Sequence, residues 1–188
     1  MSYSARGPWP SSSRRPSIST VVPQAPYPTS QNYQRTRGAS EIITRLYISD
    51  LSFAENPACL ASYGITHVIS VISGSVHLPP PAALYPHPPP RHLHLKLEDS
   101  PFVELAAHLP TTTQWIRDAY LSSPDARILV HCAEGISRSV SIVAAFLIAQ
   151  YGWTPSEAVQ FIKTKRRVAD PNFGFIAQLG EYARSLGR

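Results

Sequence analysis

Two apolar runs joined by nine residues constrain this chain more than any other stretch. Residues 127–130, Arg-Ile-Leu-Val, are short and partly β-branched and read as a buried strand. Residues 140–150 are almost wholly apolar and are closed by Gly152, so they read as a buried helix. Between them lies His131-Cys132-Ala133-Glu134-Gly135-Ile136-Ser137-Arg138-Ser139. A strand that feeds a helix through so short a connection gathers backbone N–H groups at a helix N-terminus, which makes an anion site. Cys132 opens the turn and Arg138 ends it, with five residues between, so the loop can curl until both side chains face one centre. The planar fork of Arg138 matches two oxygens of a phosphate. The helix dipole, the loop amides and Arg138 all favour a thiolate at Cys132; such settings lower a cysteine pKa from ~8.5 to roughly 3.5–7.5. A thiolate beside a bound phosphate is a nucleophile for phosphoryl transfer. Gly135 lets the backbone turn close to the ligand. The expected phosphate-binding groups are the amides of Ala133, Glu134, Gly135, Ile136, Ser137 and Arg138, with the guanidinium of Arg138.

Residues 131–139 resemble the His-Cys-x5-Arg-Ser/Thr signature of cysteine-dependent protein phosphatases. Gly135 to Ser139, as Gly-x-Ser-Arg-Ser, is similar to the dual-specificity branch. Arg45-Leu46-Tyr47-Ile48-Ser49 through Gly64-Ile65-Thr66-His67-Val68-Ile69 resembles the opening of that domain. Pro171-Asn172-Phe173-Gly174-Phe175 with Gln178-Leu179 resembles its last helix, so the likeness covers residues 41–186. It implies a small, atypical dual-specificity phosphatase that hydrolyses phosphotyrosine and phosphoserine or phosphothreonine in proteins through a cysteinyl-phosphate, with no metal and no cofactor.

Phosphoryl transfer to sulfur expels an alkoxide or phenoxide, which needs a proton, and a carboxylic acid on a loop beside the phosphate can give it. The resemblance assigns this to an Asp at the end of a strand. Asp99, in Glu98-Asp99-Ser100-Pro101 after the alternating His92-Leu93-His94-Leu95-Lys96-Leu97, matches and is preferred to Glu98. The same resemblance makes the Ser139 hydroxyl a donor to Cys132 and has His131 fix the loop and lower the thiol pKa. On residue type alone, Asp99 is also a turn-former and helix cap, Ser139 a first-turn residue and His131 a strand-end core histidine. Glu134 is an acid within the loop, which holds no lysine. That disfavours the alternative substrates, phosphoinositides and RNA 5′ ends. A non-catalytic phosphoprotein-binding module is the remaining alternative, disfavoured because Cys132 and Arg138 are both present.

The predicted fold is α/β: a mixed sheet of four or five strands flanked by helices, with the phosphate loop between strand and helix. Of the 17 basic residues, five lie in residues 1–40, which hold no acid, so residues 41–188 carry twelve basic against twelve acidic. The basicity belongs to the tail, and no Lys/Arg stripe with interleaved aromatics suggests nucleic acid. No run of 18 apolar residues suggests a membrane span. Two cysteines, Cys59 and Cys132, make no disulfide framework, and a catalytic thiol favours cytoplasm or nucleus. Residues 1–38 are Ser/Pro/Arg-rich and expected to be disordered, with 39–188 as the catalytic domain. The tail is Arg-rich and acid-free like a mitochondrial transit peptide, but six prolines in the first 28 residues disfavour the amphipathic helix import needs. Residues 79–90 form a proline-rich loop.

Within the domain, strands are expected at 42–43, at 46–48 after a turn at Thr44-Arg45, at 65–73 as a central strand, and at 92–97. A short helix is expected over 55–62. His67 reads as a hydrogen-bonded edge residue, and the His92/His94 pair as a weak metal site. Residues 102–122 read as a helix broken or kinked at Pro110, with Trp115, Ile116, Ala119 and Tyr120 as its apolar stripe. Thr154 and Glu157 read as a capping box with Pro155 in the first turn. Ala158, Phe161 and Ile162 should face inward. The run Lys163-Thr164-Lys165-Arg166-Arg167 reads as a solvated, dipole-complementing helix end. Phe173, Phe175, Ile176 and Leu179 are expected to cap the core.

Overall fold

Five strands form one sheet in the spatial order β1-β2-β5-β3-β4, where β1 is Ser40–Ile43, β2 Leu46–Ser49, β3 His67–Val71, β4 Arg91–Leu95 and β5 Ile128–His131. The computed structural model describes residues 38–78 and 89–187, so nearly all of the N-terminal tail and the proline-rich loop lie outside the described residues. Only β1 runs antiparallel; β2, β5, β3 and β4 are mutually parallel neighbours. Every residue of β2, β3 and β5 is buried, as a parallel sheet covered on both faces requires. The middle position belongs to β5, which carries the Cys132 loop, and not to β3.

The hairpin from β1 to β2 turns at Arg45, whose φ of 69° is unusual for a residue with a Cβ. Its backbone N donates to Glu41 Oε1 at 2.8 Å, and its Nη1 donates to the carbonyls of Pro124 and Ser123. Its guanidinium lies 4.7 Å from the centre of the Tyr120 ring. These contacts hold the strained turn.

Strand alternation sends successive β5 side chains to opposite faces. Ile128 and Val130 join the large core built from α3 (Leu109–Ser122), α4 (Arg138–Tyr151), α5 (Pro155–Lys165) and α6 (Phe173–Ser185). Leu129 joins a smaller cluster with Tyr47, Phe53, Leu60 and Val68, covered by α1 (Leu51–Ala54) and α2 (Pro57–Ser62). Cys132 belongs to the large core, while Cys59 packs against the small one, across the sheet. Helix α4 is buried over its first twelve residues and ends where Gly152 takes φ 70°, a left-handed cap that needs glycine.

Several expected boundaries moved. The helix expected over 55–62 starts only at Pro57, as α2, because Asn56 caps it through Oδ1, which accepts from Ala58 N and Cys59 N; a separate short helix, α1, precedes it and was not expected. The strand expected over 65–73 is confined to β3, and that over 92–97 to β4. Pro110 does not kink a helix over 102–122. It sits in the first turn of α3, where its missing N–H costs nothing, after a 3₁₀ turn at Ala106–His108. Upstream, Gln178 Oε1 accepts from the N–H groups of Leu105 and Ala106.

Ile116, Ala119 and Tyr120 are buried; Trp115 is half-buried and meets the His67 ring edge-on. His67 is a buried residue of an interior strand, not an edge one, with Nδ1 2.8 Å from Thr66 Oγ1. The capping box of α5 forms as expected, and Ala158, Phe161 and Ile162 are buried. On α6, Phe175 and Leu179 face the core at helical spacing, whereas Phe173 (72% exposed) and Ile176 lie off that stripe and face solvent. His92 and His94 share one face of β4 with their rings stacked, and each is hydrogen-bonded within the fold: His92 Nε2 to Ser70 Oγ and His94 Nε2 to the Ile72 carbonyl.

Candidate active site

The loop from Cys132 to Arg138 leaves the carboxyl end of β5 and enters α4, and its six outer carbonyls are all tied to its surroundings. Cys132 O lies 3.2 Å from His131 Nδ1. Ala133 O accepts from Leu51 N at 3.0 Å. Glu134 O and Gly135 O accept from Arg166 Nη2 and Nε at 3.2 and 2.7 Å. Ile136 O accepts from Asp170 N at 2.8 Å, and Ser137 O from Ser141 N at 2.9 Å. Across a trans peptide the next N–H points opposite to the carbonyl. With the carbonyls turned outward, the amides of residues 133–138 line the inner, concave side. This is an anion nest at a helix N-terminus. Gly135 adopts φ 68°, and a Cβ there would lie 2.5 Å from Ser49 O, so both conformation and space demand glycine.

Cys132 is 1% exposed at the base of this nest. Its Sγ accepts from Gly135 N at 3.2 Å and lies 3.3 Å from Ser139 Oγ. The arrangement turns an amide and a hydroxyl donor towards sulfur, the pair a thiolate prefers. Arg138 is 8% exposed; its Nη1 donates to Leu97 O at 3.1 Å and its Nε lies 3.4 Å from Asp99 Oδ2.

Asp99 leans over the loop. Its Oδ1 accepts from Ser137 Oγ and from Asn172 Nδ2, each at 2.8 Å. Glu98, its neighbour, is exposed. Asn172 caps α6 through its Oδ1, which accepts from Phe175 N at 3.0 Å, and spends its amide N–H on Asp99. The acid loop thus rests on the start of α6, and a Cβ at Gly174 would collide with the Pro101 backbone. Gly174→Ala is therefore expected to displace Asp99 and to lower kcat by about 10²-fold, together with a melting temperature lowered by several degrees from the clash, read by steady-state kinetics beside a thermal melt.

His131 is fully buried. Its Nε2 lies 2.6 Å from Ser70 Oγ, which in turn lies 2.7 Å from His92 Nε2. Burial pushes its pKa from 6.5 down to about 4, so at neutral pH the imidazole is uncharged. It fixes the Cys132 carbonyl, as expected, but brings no charge to the thiol. An unfolded chain binds a proton on this ring below pH 6.5 that the folded chain refuses until about pH 4. Stability is therefore full above pH 6.5 and drains away as pH falls towards 4, by about 3 kcal/mol for this group. His67 and His92, also pushed down mainly by burial, act in the same sense. Denaturant midpoints measured from pH 7 to 4 should fall steadily, with a shallower slope in His131→Asn.

The structure brings together all five side chains expected to be catalytic, Cys132, Arg138, Asp99, Ser139 and His131, with the expected amides. Three further residues were not anticipated here: Asn172, Ser70 and Arg166. An asparagine just before a helical run is a cap signal, so Asn172 was findable. Ser70 had no local signal, and Arg166 was hidden in a basic run. Among the described residues no group of three or more His, Cys, Asp or Glu side chains could hold a metal, and no helix is long and apolar enough to cross a membrane.

Comparison with known proteins agrees with this geometry. The family described as dual specificity phosphatase, catalytic domain, matches residues 46–185. Mouse dual specificity protein phosphatase 13B is 36% identical over 177 residues, 88% of each chain. Rat dual specificity protein phosphatase 26 is 37% identical over 148 residues, 79% of this chain and 68% of that one. The crystal structure of human DUSP28 matches with a TM-score of 0.69 at 27% identity, over 80% of this chain and 95% of that one. The chain belongs to the dual-specificity phosphatases. It is a cysteine-dependent protein phosphatase, of the small atypical type within that family.

Proposed function

We propose that Cys132 is the nucleophile, Arg138 and the loop amides the phosphate clamp, and Asp99 the acid and base of this phosphatase. The observation that carries the reading is the set of six outward-tied carbonyls around a buried thiol, because it leaves six amides and one sulfur facing a single anion. The phosphate docks on the amides of residues 133–138 and on the Arg138 fork, which exchanges its contact with Asp99 for phosphate oxygens. Sulfur forms a bond to phosphorus as the bond from phosphorus to the leaving oxygen breaks, and Asp99 gives that oxygen its proton. Water then attacks the cysteinyl-phosphate, Asp99 takes its proton, inorganic phosphate leaves, and the Ser139 hydroxyl donates to the departing thiolate. Charge on phosphate is met by preorganised dipoles and one guanidinium throughout.

The substrates of this reading are phosphotyrosine and phosphoserine or phosphothreonine in proteins. Glu134 stands exposed on the loop, where a more highly charged lipid or RNA phosphate would meet repulsion. A nucleophile that must stay reduced suits cytoplasm or nucleus. The test is hydrolysis of an aryl phosphate and of matched phosphotyrosine and phosphoserine peptides, with chelator and reductant present. Turnover of all three supports the reading. Oxyanion binding without turnover would replace it with a phosphate-binding module.

A further inference from the structure

Arg166 was expected on a solvated helix end, yet it is 3% exposed. Helix α5 stops at Lys165, and Arg166 takes extended backbone angles that swing its side chain beneath the phosphate loop. There the guanidinium spends its donors in two directions. Nε and Nη2 bind Gly135 O and Glu134 O, two adjacent carbonyls of the loop. Nη1 binds Gly38 O at 3.1 Å and Ser40 Oγ at 3.3 Å, at the start of β1. The fit is tight: a Cβ on Gly135 would lie 2.6 Å from Nη2. Burying a guanidinium is costly unless its protons are bonded and opposite charge is close. Burial pushes the pKa of Arg166 down, while the charges of Asp50 and Cys132 push it back up. A guanidinium keeps its proton through the working pH range.

We propose that Arg166 is a positioning residue for catalysis, whose planar fork holds the Glu134 and Gly135 carbonyls outward and whose fixed charge is bonded to Gly135, the residue whose N–H donates to Cys132 Sγ. The proposal rests on Cys132 being the nucleophile of the loop, and it adds a second guanidinium to the site. Arg138 meets the phosphate from the open side. Arg166 never touches it and works from behind the loop, through the peptide planes. Turning those two carbonyls turns the amides of Gly135 and Ile136, and Gly135 N is the donor to Cys132 Sγ.

The two jobs separate by substitution. Arg166→Lys keeps the charge but cannot bridge two adjacent carbonyls in one plane. Arg166→Met keeps bulk and loses both. Full-length wild type and both variants are compared by tungstate binding in a calorimeter and by the iodoacetamide alkylation rate of Cys132 at pH 6 and pH 9. Tungstate, a phosphate mimic, is expected to bind about tenfold more weakly to both variants, the loss of hydrogen bonds from a charged group. Alkylation at pH 6, relative to pH 9, should fall about tenfold in Arg166→Met and by less in Arg166→Lys, which keeps the charge but loosens the Gly135 amide that donates to sulfur. A merely structural arginine would lower the melting temperature and leave both readouts unchanged in the folded variants, which overturns the proposal. If Arg166→Met does not fold, Arg166→Lys decides alone: unchanged tungstate affinity overturns it. Neither readout needs turnover, so a wild type that binds tungstate and is alkylated but hydrolyses nothing would sink the catalytic reading while leaving this comparison intact.

Discussion

Cys132→Ser should hydrolyse an aryl phosphate at least about 10⁴-fold more slowly than wild type, yet bind phosphopeptide nearly as well. The size follows from the loss of a nucleophile whose partners act as a unit with it. A serine hydroxyl at this position would meet the same donors, Gly135 N and Ser139 Oγ, but no base stands beside it to remove its proton. The nest, in contrast, is built from carbonyls tied by His131, Leu51, Arg166, Asp170 and Ser141, and none of those ties uses sulfur. Binding should therefore survive while turnover disappears. Single-turnover kinetics and calorimetry with a phosphotyrosine peptide would read the two halves separately. Residual turnover above one part in about 10⁴ that persists with chelator would show that another group attacks phosphorus.

Asp99→Asn should lower kcat by about 10²–10⁴-fold on phosphoserine peptides and far less in the first turnover of a nitrophenyl phosphate. The difference lies in the leaving group. An alkoxide cannot depart without a proton, whereas a nitrophenoxide is stable enough to leave alone. Asn keeps the shape of the side chain, so Ser137 and Asn172 lose little packing and the acid loop should stay in place. The effect then isolates the proton. Equal losses on both substrates would mean that the variant had moved the loop rather than removed an acid, the behaviour expected instead of Gly174→Ala. KM for both substrates should change little, since Asp99 meets the leaving oxygen and not the phosphate.

The strand, loop and helix at the centre of the fold were legible because they are contiguous: two apolar runs and a short polar turn fix one another locally. The α5 capping box was legible for the same reason. Asp99 is 39 positions from Arg138, and only the resemblance to a known family joined the two. Arg166 was misread because charge runs usually face solvent, and nothing within a few residues marks the one that turns inward. What turns it inward is Glu134 and Gly135, some thirty positions away. The helix expected over 55–62 was begun two residues early because Asn-Pro was read as helix interior rather than as a cap followed by a start, and α1 before it carried too few residues to show a period. Phe173 and Ile176 were counted as core by residue type, although only Phe175 and Leu179 follow the buried stripe of α6.

The two cysteines lie on opposite sides of the sheet, Cys132 with the large core and Cys59 with the small one. Peroxide that converts Cys132 to a sulfenic acid would find no second thiol of this chain on its own side to trap it as a disulfide. The oxidised sulfur sits instead among backbone amides, and its return to the active form depends on closure onto a neighbouring nitrogen or on a thiol small enough to enter the nest. Recovery after oxidative stress is thus a property of the surrounding reductant, not of an internal partner.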